Sequence, residues 1–181
     1  HTLFKCAPDA YEAVVALMVA ASPVSAAKLV DDWAGRMLDR INEHRTLAKL
    51  PPLELDPALM RAARAHTHDM AENDLFDHVG SDGSSLQSRL TAVEYRFHQA
   101  AENLAGGIES PETTVHRWMT NAGHRHNILG PVFRDAGIGH LYRADDGGKV
   151  CYGHYWTLVL GVKKKRIEID PEPPLAPFGP R

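Results

Sequence analysis

Cysteine is nearly missing from this chain: Cys6 and Cys151 are the two in 181 residues. They form no CxxC pair and no metal-finger spacing, which excludes a disulfide-framed miniprotein and a cysteine zinc site. One long-range disulfide in an oxidising compartment and two free thiols both remain open. The chain also lacks HExxH, a nucleophile elbow and any cysteine beside a histidine, so zincin chemistry and covalent catalysis find no support. A basic excess is absent as well. The formal net charge is -3 and the pI about 6.4, which argues against nucleic acid as a partner. No apolar run is long enough to span a bilayer, and neither an internal repeat nor a boundary for a second domain is visible.

What is present begins with size: 181 residues are enough for one domain with a sizeable core and tails. We divide them into an N-terminal extension (1–27), a domain (28–166) and a proline-rich tail (167–181). The chain starts at His1 and reads as a processed or truncated product. Within the extension Ala13 to Ala21 is continuously apolar and Val24-Ser25-Ala26 resembles a small-residue cleavage site, so the segment reads as an export-signal remnant or a short helix.

Lys28 to Arg45 has the spacing of a helix, with Leu29, Trp33, Met37 and Ile41 on one face and Asn42 and Arg45 as polar closure. Pro51-Pro52 makes Thr46 to Leu55 an extended connection. Asp56-Pro57 starts a second helix, with Leu59, Ala63, His66 and Met70 inward and Arg61, Arg64, His68 and Glu72 outward. His66 reads as a hydrogen-bonded core histidine. Asp74 to Ser85 (DLFDHVGSDGSS) is a loop anchored by Phe76 and carrying His78. A short helix follows, from Ser85 to Ala92.

Glu94 to His98 reads as a short strand. Next comes Ala100 to Gly107 (AAENLAGG), where Glu102 stands among small apolar residues and is desolvated unless it finds partners. Ser110 caps another helix, with Pro111 preset at its first position and Val115, Trp118 and Met119 buried. Gly123 is expected to end it, leaving His124 to Asn127 as a polar turn. Asp135 to Tyr142 alternates like a strand interrupted by Gly137 and Gly139. Asp146-Gly147-Gly148 reads as a hairpin turn, and Val150 to Val162 as a central strand apolar on both faces. Lys163 to Arg166 is a basic run. Helices first and a hairpin last argue for an α+β domain.

FDHVGSDGSS, AENLAGG, WMTNAGHRHNIL with GPVFRDAGIGHLY, and GHYWTLVLG stand in a fixed order that resembles the CAP superfamily, in particular its cysteine-poor bacterial SCP-like branch. The resemblance covers roughly Val30 to Val162. It implies a three-layer α-β-α sandwich around a mainly antiparallel sheet, and a secreted or cell-envelope monomer. It also implies a cavity lined by two histidines and two acids, which in some members binds a divalent metal such as zinc and in others lipid. Carried over residue by residue, His78 is the first cavity histidine and Glu102 the first acid. Asn121 stands where the second acid is usual, and Tyr155 where the second histidine is usual. His154 is one residue off, on the opposite strand face. His124 is expected to supply the missing imidazole, an HxH pair on an extended segment would set the His126 ring on the same side, and Asn127 is expected to fix the turn. The cavity set is therefore His78, Glu102, Asn121, His124 and Tyr155, with His78, Glu102 and His124 as expected ligands for zinc or another divalent metal. The reading favoured is a non-enzymatic binding module for a small ligand, lipid included, or a metal. Its alternatives are a metal-assisted hydrolase using Glu102 and the histidines, and an envelope protein with a vestigial cavity.

Overall fold

The computed structural model describes residues 23–164, with side chains from Trp33 onward. The N-terminal extension up to residue 22, Leu29's side chain and the proline-rich tail lie outside the described residues. In chain order the elements are α1 (Pro23–Leu47), β1 (Glu54–Leu55), α2 (Pro57–Glu72), α3 (Leu86–Ala92), β2 (Phe97–Gly106), α4 (Pro111–Thr120), α5 (Ala122–Ile128), β3 (Asp135–Tyr142) and β4 (His154–Lys163). The four strands form one sheet in the order β1-β3-β4-β2. β4 pairs antiparallel with both β2 and β3, and only the short β1 runs parallel to its neighbour.

Alternation along β4 creates the two faces of a sandwich. Trp156, Leu158 and Leu160 point to one side and pack with Met37, Ile41, Val115, Trp118 and Ile128 of α1, α4 and α5. Val159 points to the other and packs with Leu59, Ala63 and Leu90 of α2 and α3. The polar tips of the buried indoles are satisfied by backbone: Trp118 Nε1 donates to Leu104 O at 3.0 Å and Trp156 Nε1 to Ile108 O at 2.6 Å.

Gly137 and Gly139 do not break β3. They let α2 lie directly on it. A Cβ at Gly137 would stand 2.2 Å from the Leu59 backbone, and one at Gly139 2.4 Å from Ala63 O. Gly137→Ala is therefore expected to cost about 1–3 kcal/mol through overpacking. Urea unfolding checks this; an unchanged midpoint would show that α2 can slide freely on the sheet.

Three expectations need correcting. The long final strand starts only at His154, because Gly153 takes a left-handed backbone (φ +68°). Asp146-Gly147-Gly148 is not a tight hairpin, since residues 143–153 connect β3 to β4 as a loop. The Asp146 carboxylate is turned inward, accepting from Gly153 N at 2.8 Å and from the Tyr155 hydroxyl at 2.6 Å. Asp74 accepts from Lys149 N and Val150 N and holds the loop down. Thirdly, α4 ends at Thr120 and Gly123 is not its cap. Asn121 caps a further helix, its Oδ1 accepting from Gly123 N at 3.0 Å and His124 N at 3.1 Å, so His124 to Asn127 are helical.

Cys151 is disulfide-bonded, which removes the free-thiol alternative for that residue.

Candidate functional site

Glu102 lies in β2 on the face covered by α2 and α3, and its side chain is 3 % exposed. A carboxylate there needs partners, and three elements supply them. Arg89 of α3 donates through Nη2 to Oε2 at 2.7 Å, while its Nη1 donates to the His78 and Ser84 carbonyls at 3.0 Å each. His78 donates through Nδ1 to Oε1 at 2.8 Å. His66 of α2 brings its Nε2 to 3.8 Å from Oε1 and donates it to Asp77 O at 3.0 Å. That leaves His66 Nδ1 as a buried nitrogen without a partner among the described residues. Burial is the main cause that pushes the His66 pKa down, against the opposing pull of Glu102.

The loop carrying His78 is pinned at several points. Asp77 accepts from Val79 N at 2.9 Å, Asp82 from Ser84 N at 2.8 Å, and Asp69 from Ser81 N at 2.8 Å as well as from the Ser81 hydroxyl. Gly83 takes φ +81° at its tip. The His78 ring itself is 59 % exposed, so it is oriented from beneath by Glu102 and presents its other nitrogen outward.

His124 arrives from α5, which is tied to β2 by amides. Asn103 donates to His124 O at 3.1 Å, and Asn127 donates to Asn103 Oδ1 at 2.8 Å. Half-burial pushes the His124 pKa down, and the neighbouring His78 adds to this. His124 and Asn121 line a cleft of about 440 Å³ together with Phe76, Ile108, Trp118 and Tyr152. His78 and Glu102 do not line this cleft themselves; the link to it is His124, which feels the neighbouring His78.

The structure thus brings His78, Glu102, His124 and Asn121 to one region, and it excludes Tyr155 from the cleft surface. Tyr155 is fully buried, with its hydroxyl on Asp146. Tyr152 takes its place at the wall, edge-on to Phe76 at 4.8 Å. Joint ligation by His124 and His126 is ruled out by geometry, because two residues along a helix are separated by about 200°. Arg89, Asn103 and Tyr152 were not legible as site residues. The signal for Arg89 was the unmet demand of Glu102 for a counter-charge, which no spacing along the chain identifies.

A divalent metal does not fit this donor set as it stands. The guanidinium of Arg89 already supplies the positive charge at Oε2, and His78 occupies Oε1. Among the described residues, no group of three or more His, Cys, Asp or Glu is placed to hold a metal ion.

His154 falls on the opposite sheet face, as its place in the strand dictates. There its Nδ1 meets Nε2 of His140 at 3.1 Å. Burial, with His154 adding to it, pushes the His140 pKa down to about 4. Burial also lowers that of His154, against the pull of Glu109. A histidine depressed in the fold binds its proton less readily than in the unfolded chain. Stability is then expected to fall as pH drops from about 6.5 towards 4, by at most about 1.4 kcal/mol per pH unit for each proton taken up. Urea midpoints across that window, compared with His140→Gln, check this; identical pH slopes in both proteins would refute it.

The family model described as "Cysteine-rich secretory protein family" (CAP) matches residues 38–160. The chain is 33 % identical over 117 residues to the uncharacterized protein YkwD of Bacillus subtilis, covering 65 % of this chain and 46 % of that protein. It is 34 % identical over 104 residues to the membrane protein YlbC of the same organism, with 58 % and 30 % covered. The chain therefore spans less than half the length of these curated relatives. Among solved structures, an extracellular SCP-domain protein from Bacillus anthracis superposes with a TM-score of 0.62 at 26 % identity, over 72 % of this chain and 40 % of the other. An outer surface protein from Borrelia burgdorferi shares the fold, with a TM-score of 0.66 at 22 % identity over 74 % and 94 %.

Proposed function

The chain belongs to the CAP family and is of the bacterial SCP type, and on that premise we propose that it is an exported, non-enzymatic binding module whose cleft between α4, α5 and the Tyr152 loop takes a small ligand. Export is supported by the extracellular and outer-surface descriptions of its structural neighbours. No helix among the described residues is long and apolar enough to cross a membrane.

One observation carries the reading. A buried carboxylate, neutralised in place by Arg89, orients an exposed imidazole that neighbours His124, and His124 lines a cleft of about 440 Å³. That volume is in the range of small-molecule sites, and Arg117, Thr120, Asn121 and His124 set polar groups beside the aromatic walls. His78 and His124 would supply the orienting hydrogen bonds, with Phe76 and Tyr152 as walls. A lipid headgroup or a small polar metabolite are both of suitable size.

The hydrolase reading has one feature in its favour, since a carboxylate-oriented imidazole is what a general base needs. Against it, both oxygens of Glu102 are engaged by protein groups. Among the described residues no hydroxyl or thiol is hydrogen-bonded to the His78 ring to serve as nucleophile.

The test follows the imidazole C–H resonances of His78 and His124 while a panel of small polar and amphiphilic fragments, then zinc, is titrated in. A saturable shift of both rings by one fragment class, abolished in His124→Ala, is the expected result. His78→Ala is expected to abolish it too, at a cost of about 1–3 kcal/mol of stability, because the buried Oε1 of Glu102 loses its donor. Saturable zinc binding lost in both variants would restore the metal reading. Silence to every probe, with only stability altered in the variants, would leave a vestigial cavity.

A further inference from the structure

β2 is an outer strand: β4 pairs with it on one side, and the order β1-β3-β4-β2 leaves its other side without a strand. Helices close the second half of that open side. Asn127 of α5 donates to Glu102 O at 3.4 Å, and Trp118 of α4 donates to Leu104 O at 3.0 Å. The first half, residues 97–101, instead borders a cleft of about 810 Å³, whose far wall is α5 and the segment leading to β3.

Side-chain direction places this cleft along the strand's edge and not on a face of the sheet. Phe97 and Ala100 pack on the α2–α3 side of the sandwich and Ala101 on the other side, yet all three line the cleft. A bulge between Phe97 and Gln99 lets Phe97 and Ala100 share a face. Residues aimed at opposite faces meet in one cleft only where it follows the edge between them. Backbone direction agrees. In an antiparallel strand the N–H and C=O of one residue point to the same side. Glu102 O and Leu104 O point away from β4, so Ala100, two residues earlier, also turns its N–H and C=O outward.

The charge on the walls has one sign. His98 of the strand and Arg125 and His126 of α5 line the cleft, and among the described residues no carboxylate does. Arg125 donates to Met119 O at 3.3 Å, which leaves its charge unneutralised there. An adjoining cleft shares Phe97 and His98 and adds Arg96 and Lys164 against Glu94. All five basic side chains are exposed, in a chain whose net charge is -3.

We propose that this edge docks an extended peptide with acidic side chains, which adds a strand to the sheet beside residues 97–101. The ladder supplies affinity through backbone groups such as those of Ala100, and the basic walls select the side chains. α5 stops the ladder at Glu102. A second copy of the chain is a poorer occupant, because two-fold pairing of β2 with itself sets Arg96, His98 and Arg125 against like charges. The site is separate from the His78–Glu102 region, since α5 presents His124 to one cleft and Arg125 and His126 to the other.

The experiment titrates the full chain with capped, fluorescent short peptides of alternating valine with glutamate, serine or lysine. Anisotropy is expected to show saturable binding of the glutamate peptide, at least about tenfold tighter than the lysine peptide, and weakening with added salt. Amide hydrogen exchange at Ala100 should slow in the complex, as ladder formation requires. Arg125→Glu should reverse the preference between the glutamate and lysine peptides. Ala100→Pro should weaken all binding, because proline is tolerated on an edge but removes the outward N–H. The exchange measurement on the unsubstituted protein covers a proline variant that does not fold. Binding of the glutamate peptide without protection of the Ala100 amide would overturn strand addition. Equal binding of the three peptides would overturn the selection of acidic side chains. Failure of all three to bind, or a concentration-dependent dimer that itself protects Ala100, would overturn the docking site.

Discussion

Arg45→Met is expected to unfold the protein or to cost about 4–5 kcal/mol. Arg45 is 0 % exposed, at the end of α1, and its guanidinium is spent entirely on backbone. Nε donates to Pro51 O at 2.9 Å, Nη1 to Ile128 O at 2.7 Å and Gly130 O at 3.0 Å, and Nη2 to Phe133 O at 3.1 Å. These carbonyls belong to the connection after α1, to the end of α5 and to the segment between α5 and β3, so one side chain ties three parts of the chain together. Methionine matches much of the volume and supplies no donor, so the buried Ile128 and Gly130 carbonyls lose theirs, the part-buried Pro51 carbonyl loses its own, and Phe133 O keeps only Arg134 Nη1. Charged hydrogen bonds of this kind contribute roughly 1.5–3 kcal/mol each, and partial relaxation keeps the sum below the total. Arg45→Lys keeps the charge without the planar fork and should fall between the two. Burial and the nearby Arg134 already push the Arg45 pKa down, so the site tolerates this cation only because its donors are matched. Urea midpoints of the three proteins rank them; a loss under about 1.5 kcal/mol for the methionine variant would mean the carbonyls find other donors.

Glu102→Gln comes second, at about 3–5 kcal/mol, because it leaves Arg89 as a buried charge without its partner. The side chains of the pair are 3 % and 10 % exposed, so water screens them little. Glutamine also presents an amide group where His78 now donates, which releases the imidazole from its fixed orientation. Ligand-induced shifts of His78 should therefore vanish even under conditions where the variant is folded. The double replacement Glu102→Leu with Arg89→Met should be markedly more stable than Glu102→Gln, since it removes both charges together. If Glu102→Gln proved as stable as the parent, the carboxylate would be dispensable to the fold and the site would lose its organising group.

The two variants bracket what the sequence made visible. Glu102 stood out because a carboxylate among alanines and leucine must be either solvated or paired. Arg45 did not stand out. At the end of an amphipathic helix it reads as polar closure, and only its contacts 83–88 residues further along the chain make it a core residue. The same contrast runs through the helices. The inward stripe of α2 was legible from its spacing, with Leu59, Ala63, His66 and Met70 all buried. The break between α4 and α5 was misread, because Gly123 offered itself as a cap while Asn121, two residues earlier, was the residue that capped.

By itself the sequence determined the periodicities, and through them an α+β domain, the central place of β4 and the opposite faces taken by His154 and Tyr155, while the sandwich came from the resemblance to the family. Those follow from local geometry, since side-chain direction repeats every two residues in a strand and every 3.6 in a helix. The four motifs in order also carried the family. Only the tertiary structure decided which charge neutralises Glu102, that Tyr152 and not Tyr155 walls the cleft, and that Asp-Gly-Gly sits within a pinned loop and makes no tight turn. Each of these depends on groups far apart in the chain meeting at hydrogen-bond distance. Spacing along the chain carries no record of such a meeting, because the burial that makes the partner necessary exists only once the layers have closed.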